Sequence, residues 1–232
     1  MTNDPDLSIE RAAFDGGARV VVGLDEVGRG AWAGPVSVGA VAISPTTPDQ
    51  PAGVRDSKRV AKTKRAGLVG AIEAWALGTA VGHASHHECD LLGMRAAIAL
   101  ASSRALEALG VRADIAIVDG PLDLLEADSL LLGNLVAEHS WRAAPPSVVP
   151  VVKGDLHCAS VAAASIVAKV ERDTMMAELA ESFPAYEFDH NVGYPSPVHQ
   201  MALRGYGLTS IHRRSWSYVD GLPWLVGPSG RP

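Results

Sequence analysis

The residues best suited to chemistry in this chain are carboxylates at the ends of apolar runs. Asp25 and Glu26 close "VVVGLDE", Asp119 closes "IAIVD", and Asp155 ends "VVPVVKGD". Side chains alternate along a strand, so neighbouring acids converge only where it ends or twists. Gly23, Gly28, Gly120 and Gly154 flank the acids; glycines suit such a bend and let a ligand come close to the backbone. Carboxylates gathered in one place repel one another unless cations neutralise them. Oxygen ligands without a thiolate favour magnesium or manganese, and a two-ion site suits in-line displacement at phosphorus. Each acid alone reads as a turn or cap residue. Their shared position at strand ends is what argues for a site.

The elements that must position these acids can be read from periodicity. Strands are expected at about 19–25, 35–43, 77–84, 114–119 and 147–152. "SKRVAKTKRAGLVGAIEAWAL" reads as a helix capped by Asp56 or Ser57, and "HHECDLLGMRAAIALASSRALEALG" as a longer one ending at Gly110. "HCASVAAASIVAKVERDTMMAELAESF" is a third, stopped by Pro184, with small residues that permit close packing on a sheet. Short connections make the first three strands antiparallel neighbours. Intervening helices make the later ones parallel.

Composition sets the frame. The chain has 232 residues, 47% hydrophobic and 20% charged, enough for a core and too few charges for disorder. No apolar run approaches the roughly 20 residues of a membrane span, and the N-terminus has no signal-peptide character, so a cytoplasmic protein is expected. Cys89 and Cys158 are the only cysteines and form no CxxC, so they are expected as buried thiols. Net charge is −6, yet Arg55–Arg65 carries six basic residues against one acid, and no acid occurs from His190 to Val219. Local fields rather than the total govern binding of a polyanion.

Several blocks together are similar to ribonuclease HII: "GLDEVGRGAWAGPVSVGAVAI", "DSK" at 56–58, "IVDG", "VVKGD", "AAASIVAKVERD", "GYPSPVH" and "HRRSW". The resemblance spans about Val20 to Val219. It implies a ribonuclease H-like α/β fold, a five-stranded mixed sheet flanked by helices with a helical C-terminal extension. The expected divisions are a tail at 1–18, the catalytic domain at 19–185, the extension at 186–220 and an irregular tail at 221–232.

The resemblance also implies metal-dependent cleavage of the RNA strand of RNA–DNA hybrids, and of duplex DNA on the 5′ side of an embedded ribonucleotide. The products are 3′-hydroxyl and 5′-phosphate ends. It makes Asp25, Glu26, Asp119 and Asp155 the ligands of two Mg2+ or Mn2+ ions. Asp25 lies between the ions, Asp155 nearer the water side, and Glu26 and Asp119 nearer the leaving oxygen. Backbone groups of Gly28, Arg29 and Gly30 are expected at the 2′-hydroxyl, the group that separates RNA from DNA. Tyr194 is expected to stack on the sugar. Lys58, Arg213 and Arg214 are candidates for contacts to the nucleic-acid backbone or for solvated faces. Lys169 and Arg172 are placed equally well in salt bridges and on substrate. Leu156 and His157 depart from the pattern of relatives, and His157 reads as a helix-start residue or a proton shuttle. A monomer is expected, and no protein partner is indicated. The alternatives are a non-catalytic hybrid-binding protein and a DNA-specific nuclease of the same superfamily.

Overall fold

The apolar runs become strands because their β-branched residues can be buried on two faces at once. In the computed structural model, which describes residues 4–55, 57–120 and 146–222, β1 (Val21–Val27), β2 (Val36–Ile43) and β3 (Gly78–Ala84) pair antiparallel. β4 (Ile115–Asp119) lies parallel to β1, and β5 (Ser147–Val151) parallel to β4. The five strands stand in the order β3-β2-β1-β4-β5. All five expected strands are present, with the expected senses.

Alternation along β1 sorts the core. Val22 and Leu24 join Val36, Val38, Ala40 and Ala42 on the face covered by α4 (Met94–Ala108). Val21 and Val41 face the other way, onto α6 (Ala159–Ser182), which buries Val161, Ala162, Ala163, Ala164 and Ile166. Glycine notches let both helices sit close. A Cβ at Gly23 would run into the backbone of Ser160 and Val161, one at Gly39 into the Ala164 carbonyl, and one at Gly82 into the Ala101 carbonyl. The alanine-rich helix expected from "CASVAAASIVA" is therefore the partner of glycines on the facing strands.

Helix boundaries differ from the expectation in three places. Ser57–Arg59 is a 3-10 turn and α2 starts later, at Lys62–Trp75, with Ala61 before it and no side-chain cap. Ser57 is turned inward instead, its Oγ 2.9 Å from Ser165 Oγ; Asp56 lies outside the described residues. The second helix breaks at Gly93, whose φ of 77° separates α3 (His86–Leu92) from α4. The third breaks at extended Cys158, separating the single turn α5 (Gly154–His157) from α6. Cys158 is extended because it bridges to Asp6, and the Ala159 amide donates to the Asp6 carbonyl at 2.9 Å.

The N-terminal stretch carries α1 (Ser8–Asp15), an element absent from the sequence reading. Buried Glu10 accepts from the Ser160 amide at 2.9 Å and from the Ser160 hydroxyl at 2.7 Å. It thereby supplies a cap that α6 lacks in its own sequence. Beyond Pro184, α7 (Phe188–Asn191) and α8 (Pro197–Tyr206) build a third apolar cluster around Phe188, Met176 and Leu203. Most of the expected irregular tail, 223–232, lies outside the described residues. No helix among the described residues is long and apolar enough to cross a membrane.

Candidate active site

Parallel pairing carries the acids to one edge of the sheet. Leu24 pairs with Val118, so Asp25 and Asp119 follow side by side where the pairing of β1 with β4 ends, while β1 runs on beside β2 to Val27. Asp119 in turn pairs with Val151 of β5, and Asp155 is the second residue of the helical turn just beyond. The Gly154 amide donates to Asp119 Oδ1 at 2.7 Å, binding this turn to the end of β4. Open sheets of this kind place ligands outside the carboxyl ends of their parallel strands.

Asp25 and Glu26 point to opposite faces of β1. Asp25 pairs with Gly39 and faces α6, where the nearby Ser165 hydroxyl favours the ionised carboxylate. It is 7% exposed, and its carboxyl is held well above the usual range. Burial is the main cause, and the charges of Glu26, Asp119 and Asp155 add to it. Glu26 is also raised by burial, while Arg29 opposes the shift from 3.6 Å. The basic residue three positions beyond the acids therefore offsets part of their charge through its side chain.

This donor set fits divalent metal. It consists of hard carboxylate oxygens with no thiolate, and its most buried member carries a charge that its neighbours penalise. Among the described residues no three His, Cys, Asp or Glu side chains are already closed into a group able to hold an ion. Mutual repulsion opposes such closure in the protein alone.

The segment from Gly28 to Pro35 is held by two arginines that sequence reasoning did not assign to it. Arg213 donates to the carbonyls of Gly28 at 2.7 Å, Arg29 at 2.9 Å and Gly34 at 3.2 Å. Arg172 donates to those of Pro35 at 2.9 Å, Ala33 at 3.2 Å and Val192 at 2.9 Å. Both are fully buried, and burial lowers Arg172 to about 10. The expectation of Arg213 on the nucleic-acid backbone is corrected here: a side chain without exposed surface, spent on three carbonyls, is a strut. Arg172, equally buried, is spent on three carbonyls in the same way, and no ion pair of it is seen among the described residues.

These struts fix the loop's inner edge and leave Arg29 and Gly30 exposed. Gly28 has φ of 85°, and a Cβ there would strike the Arg172 guanidinium. Gly30 is different: an added Cβ would lie 3.6 Å from the Tyr194 ring, an ordinary contact. Tyr194 thus comes to the loop it was expected to work with, 37% exposed and with Arg172 5.9 Å from its ring centroid on the inner side. The Trp32 amide donates to the Gly193 carbonyl at 2.8 Å, which joins loop and tyrosine turn.

The remaining candidates separate cleanly. Lys58 and Arg214 are exposed. The Arg214 amide, together with the Ser215 amide and hydroxyl, donates to the Asp90 carboxylate of α3, which anchors the extension there. Lys169 is engaged with Asp173 at 2.6 Å, and Arg65 with the same acid at 3.8 Å. Exposed His157 contributes its carbonyl to the Asp6 amide.

The strut role gives a direct test. Arg213→Leu leaves three inward carbonyls without their donor and is expected to lower unfolding stability by about 3 kcal/mol or more. Arg214→Leu should leave the urea midpoint unchanged. Equal midpoints for the two variants would rule the strut out.

Comparison with known proteins places this arrangement. A family model described as Ribonuclease HII matches residues 22–219. The Ribonuclease HII of Streptomyces avermitilis is 47% identical over 207 residues, covering 89% of this chain and 81% of that one. That of Paracoccus denitrificans is 42% identical over 223 residues, covering 95% of each. The crystal structure of ribonuclease H2 from Pyrococcus horikoshii OT3 superposes with a TM-score of 0.65 at 26% identity, covering 87% of this chain and 96% of that one. The fold is shared with Bst-RNase HIII, solved in complex with Mn2+, at a TM-score of 0.64 and 22% identity over 90% of this chain and 70% of that one. With the match running from β1 through the C-terminal extension, this chain belongs to the ribonuclease HII family, enzymes that hydrolyse RNA in RNA–DNA hybrids.

Proposed function

We propose that this enzyme cuts both RNA–DNA hybrids and duplex DNA carrying single ribonucleotides. In the latter it cuts on the 5′ side of the ribonucleotide, leaving 3′-hydroxyl and 5′-phosphate ends. The observation that carries this reading is the adjacency of reader and acids. Arg29 and Gly30 are exposed, Gly30 beside the Tyr194 ring, and three residues separate Gly30 from Glu26 on the same strand-and-loop unit. A sugar touching that loop lies beside the phosphate that the acids address.

Asp25, Glu26, Asp119 and Asp155 would hold two Mg2+ or Mn2+ ions. When bound, such ions make water a better nucleophile and offset charge growing on phosphorus. The chain's own residues do the rest. Gly28, Arg29 and Gly30 present main-chain groups to the 2′-hydroxyl, and the absence of a side chain at Gly30 lets the sugar come close. Tyr194 covers the sugar from the other side, and exposed Lys58 and Arg214 face flanking phosphates.

The deciding experiment is a labelled DNA duplex with one ribonucleotide, incubated with magnesium or manganese, with the cut mapped. A cut 3′ of the ribonucleotide, or equal cutting of an all-deoxy duplex, would overturn the reading. The role of Tyr194 has its own test. Tyr194→Phe keeps the ring and is expected to retain most activity; Tyr194→Ala is expected to lose about tenfold or more, in line with stacking worth roughly 1–3 kcal/mol. Equal, mild losses from both variants would make Tyr194 a packing residue only.

A further inference from the structure

Two histidines lie fully buried between the tyrosine turn and the end of the C-terminal extension. His199 Nε2 is 2.9 Å from His212 Nε2. Two imidazoles meeting in this way can share only one proton, and the outer contacts decide where it sits. The Thr209 amide, which can only donate, points to His212 Nδ1 at 2.9 Å. His212 Nδ1 is therefore an acceptor, and the ring's proton is on Nε2. At the other end, His199 Nδ1 is 2.9 Å from the Tyr194 carbonyl, which can only accept. His199 must carry its proton on Nδ1 and accept from His212 on Nε2. The contacts admit one arrangement, running from the Thr209 amide through both rings to the Tyr194 carbonyl.

The surroundings keep both rings neutral. Burial lowers His199 and pushes His212 down to about 3. Trp32, Tyr186 and Phe188 pack around the pair, with ring centroids 5.9 Å from His199, 5.3 Å from His212 and 5.3 Å from His199 respectively. The carbonyl at the end of the chain also accepts from the Ser196 amide at 2.8 Å, and the Tyr194 amide donates to Asn191 at 2.9 Å. The residue is thus gripped on both sides of its Cα. Among the described hydrogen bonds of the Tyr194 main chain, the one from His199 leads on, through His212, to the residues beyond α8.

We propose that the His199–His212 pair, fixed in this single tautomeric arrangement, is a positioning device that sets Tyr194 over the Gly30 loop. The proposal rests on the reading of Tyr194 as the sugar-covering residue. Neither histidine touches substrate; both act through the Tyr194 main chain.

Nitrogen-15 NMR of the imidazoles in the full-length protein tests the arrangement without substrate. His199 should show the Nδ1-protonated neutral form, which is the minor form of a free imidazole, and His212 the Nε2-protonated form. The reverse assignment for His199 would overturn the proposal. Kinetics test the consequence. His199→Asn keeps an N–H donor near the Nδ1 position, whereas His199→Leu has none, and both lose the bond to His212. Comparable losses in melting temperature are therefore expected. The leucine variant should lose kcat by on the order of 10- to 100-fold, the scale of a misplaced reacting group, with KM moving less, and asparagine should restore most of it. Two variants equally defective in kcat would overturn the positioning role. A wild-type enzyme that cuts ribonucleotide-bearing and all-deoxy duplexes alike would instead remove the sugar-covering function beneath it, while the tautomers are still read from the spectra.

Discussion

Asp25→Asn is expected to lower metal-dependent cleavage by roughly 1000-fold or more, the scale for removal of several kcal/mol of charge stabilisation, and at the same time to make the metal-free protein more stable. The second effect follows from the sign of the pKa shift. The Asp25 carboxyl is raised well above its ordinary value of 3.8, chiefly by burial and then by Glu26. An acid raised on folding binds its proton more tightly in the native state. Its ionisation therefore costs stability as pH rises through the raised value, and the cost is relieved as pH falls back toward 3.8. Asparagine removes the charge with little change in volume. Its gain in melting temperature should be largest at pH 8 with a chelator present and shrink toward pH 4. Wild-type protein should recover stability on adding Mn2+, and the variant much less. A variant that cuts at the normal rate in magnesium would remove Asp25 from the site.

Gly30 gives the second large effect, and the structure makes it a clean test. Space exists for a Cβ there, 3.6 Å from the Tyr194 ring, and the φ of Gly30 is not among the positive ones. Gly30→Ala is therefore expected to fold with stability within about 0.5 kcal/mol of wild type. Cleavage beside a ribonucleotide should nevertheless fall at least about tenfold, and approach about 100-fold for Gly30→Val, as the sugar is held off by an ångström or more. Gly28→Ala is the control for simple damage. Its φ of 85° and its contact with the Arg172 guanidinium make that variant fail by unfolding. Normal cutting of the single-ribonucleotide duplex by Gly30→Val would dismiss the loop as the sugar reader.

The acids and strands were legible because each leaves a local signature. "VVVGLDE" and "IAIVD" are apolar runs ended by charge, and parallel pairing then aligns the ends without further information. The struts had no such signature. Arg172 in "VERD" and Arg213 in "HRRS" read as members of charged surface runs, and only burial against the carbonyls of residues 28–35 distinguishes Arg213 from exposed Arg214. The break at Cys158 and the inward turn of Ser57 escaped for a related reason. Both depend on partners far away in the chain, Asp6 and Ser165, rather than on local propensity. His199 and His212 could be seen only as histidines in an acid-free stretch; their pairing requires the turn of α8.

The loop of residues 28–35 is made early by the ribosome and completed late. Its carbonyls wait for Arg172, 137 residues on from Pro35, and for Arg213, 185 residues on from Gly28. Contacts of such long range form slowly and after the local ones. A nascent chain that stops short of Arg213 therefore carries Asp25, Glu26, Asp119 and Asp155 but lacks one of the two arginines that hold residues 28–35. Amide exchange in a chain stopped after Gly207 should be fast across the loop and slow in β1 and β2; protection of the loop in that fragment would show that it shapes itself. Synthesis of Arg213 then acts as a release step, because the carbonyls of Gly28, Arg29 and Gly34 gain their donor only when it has been made.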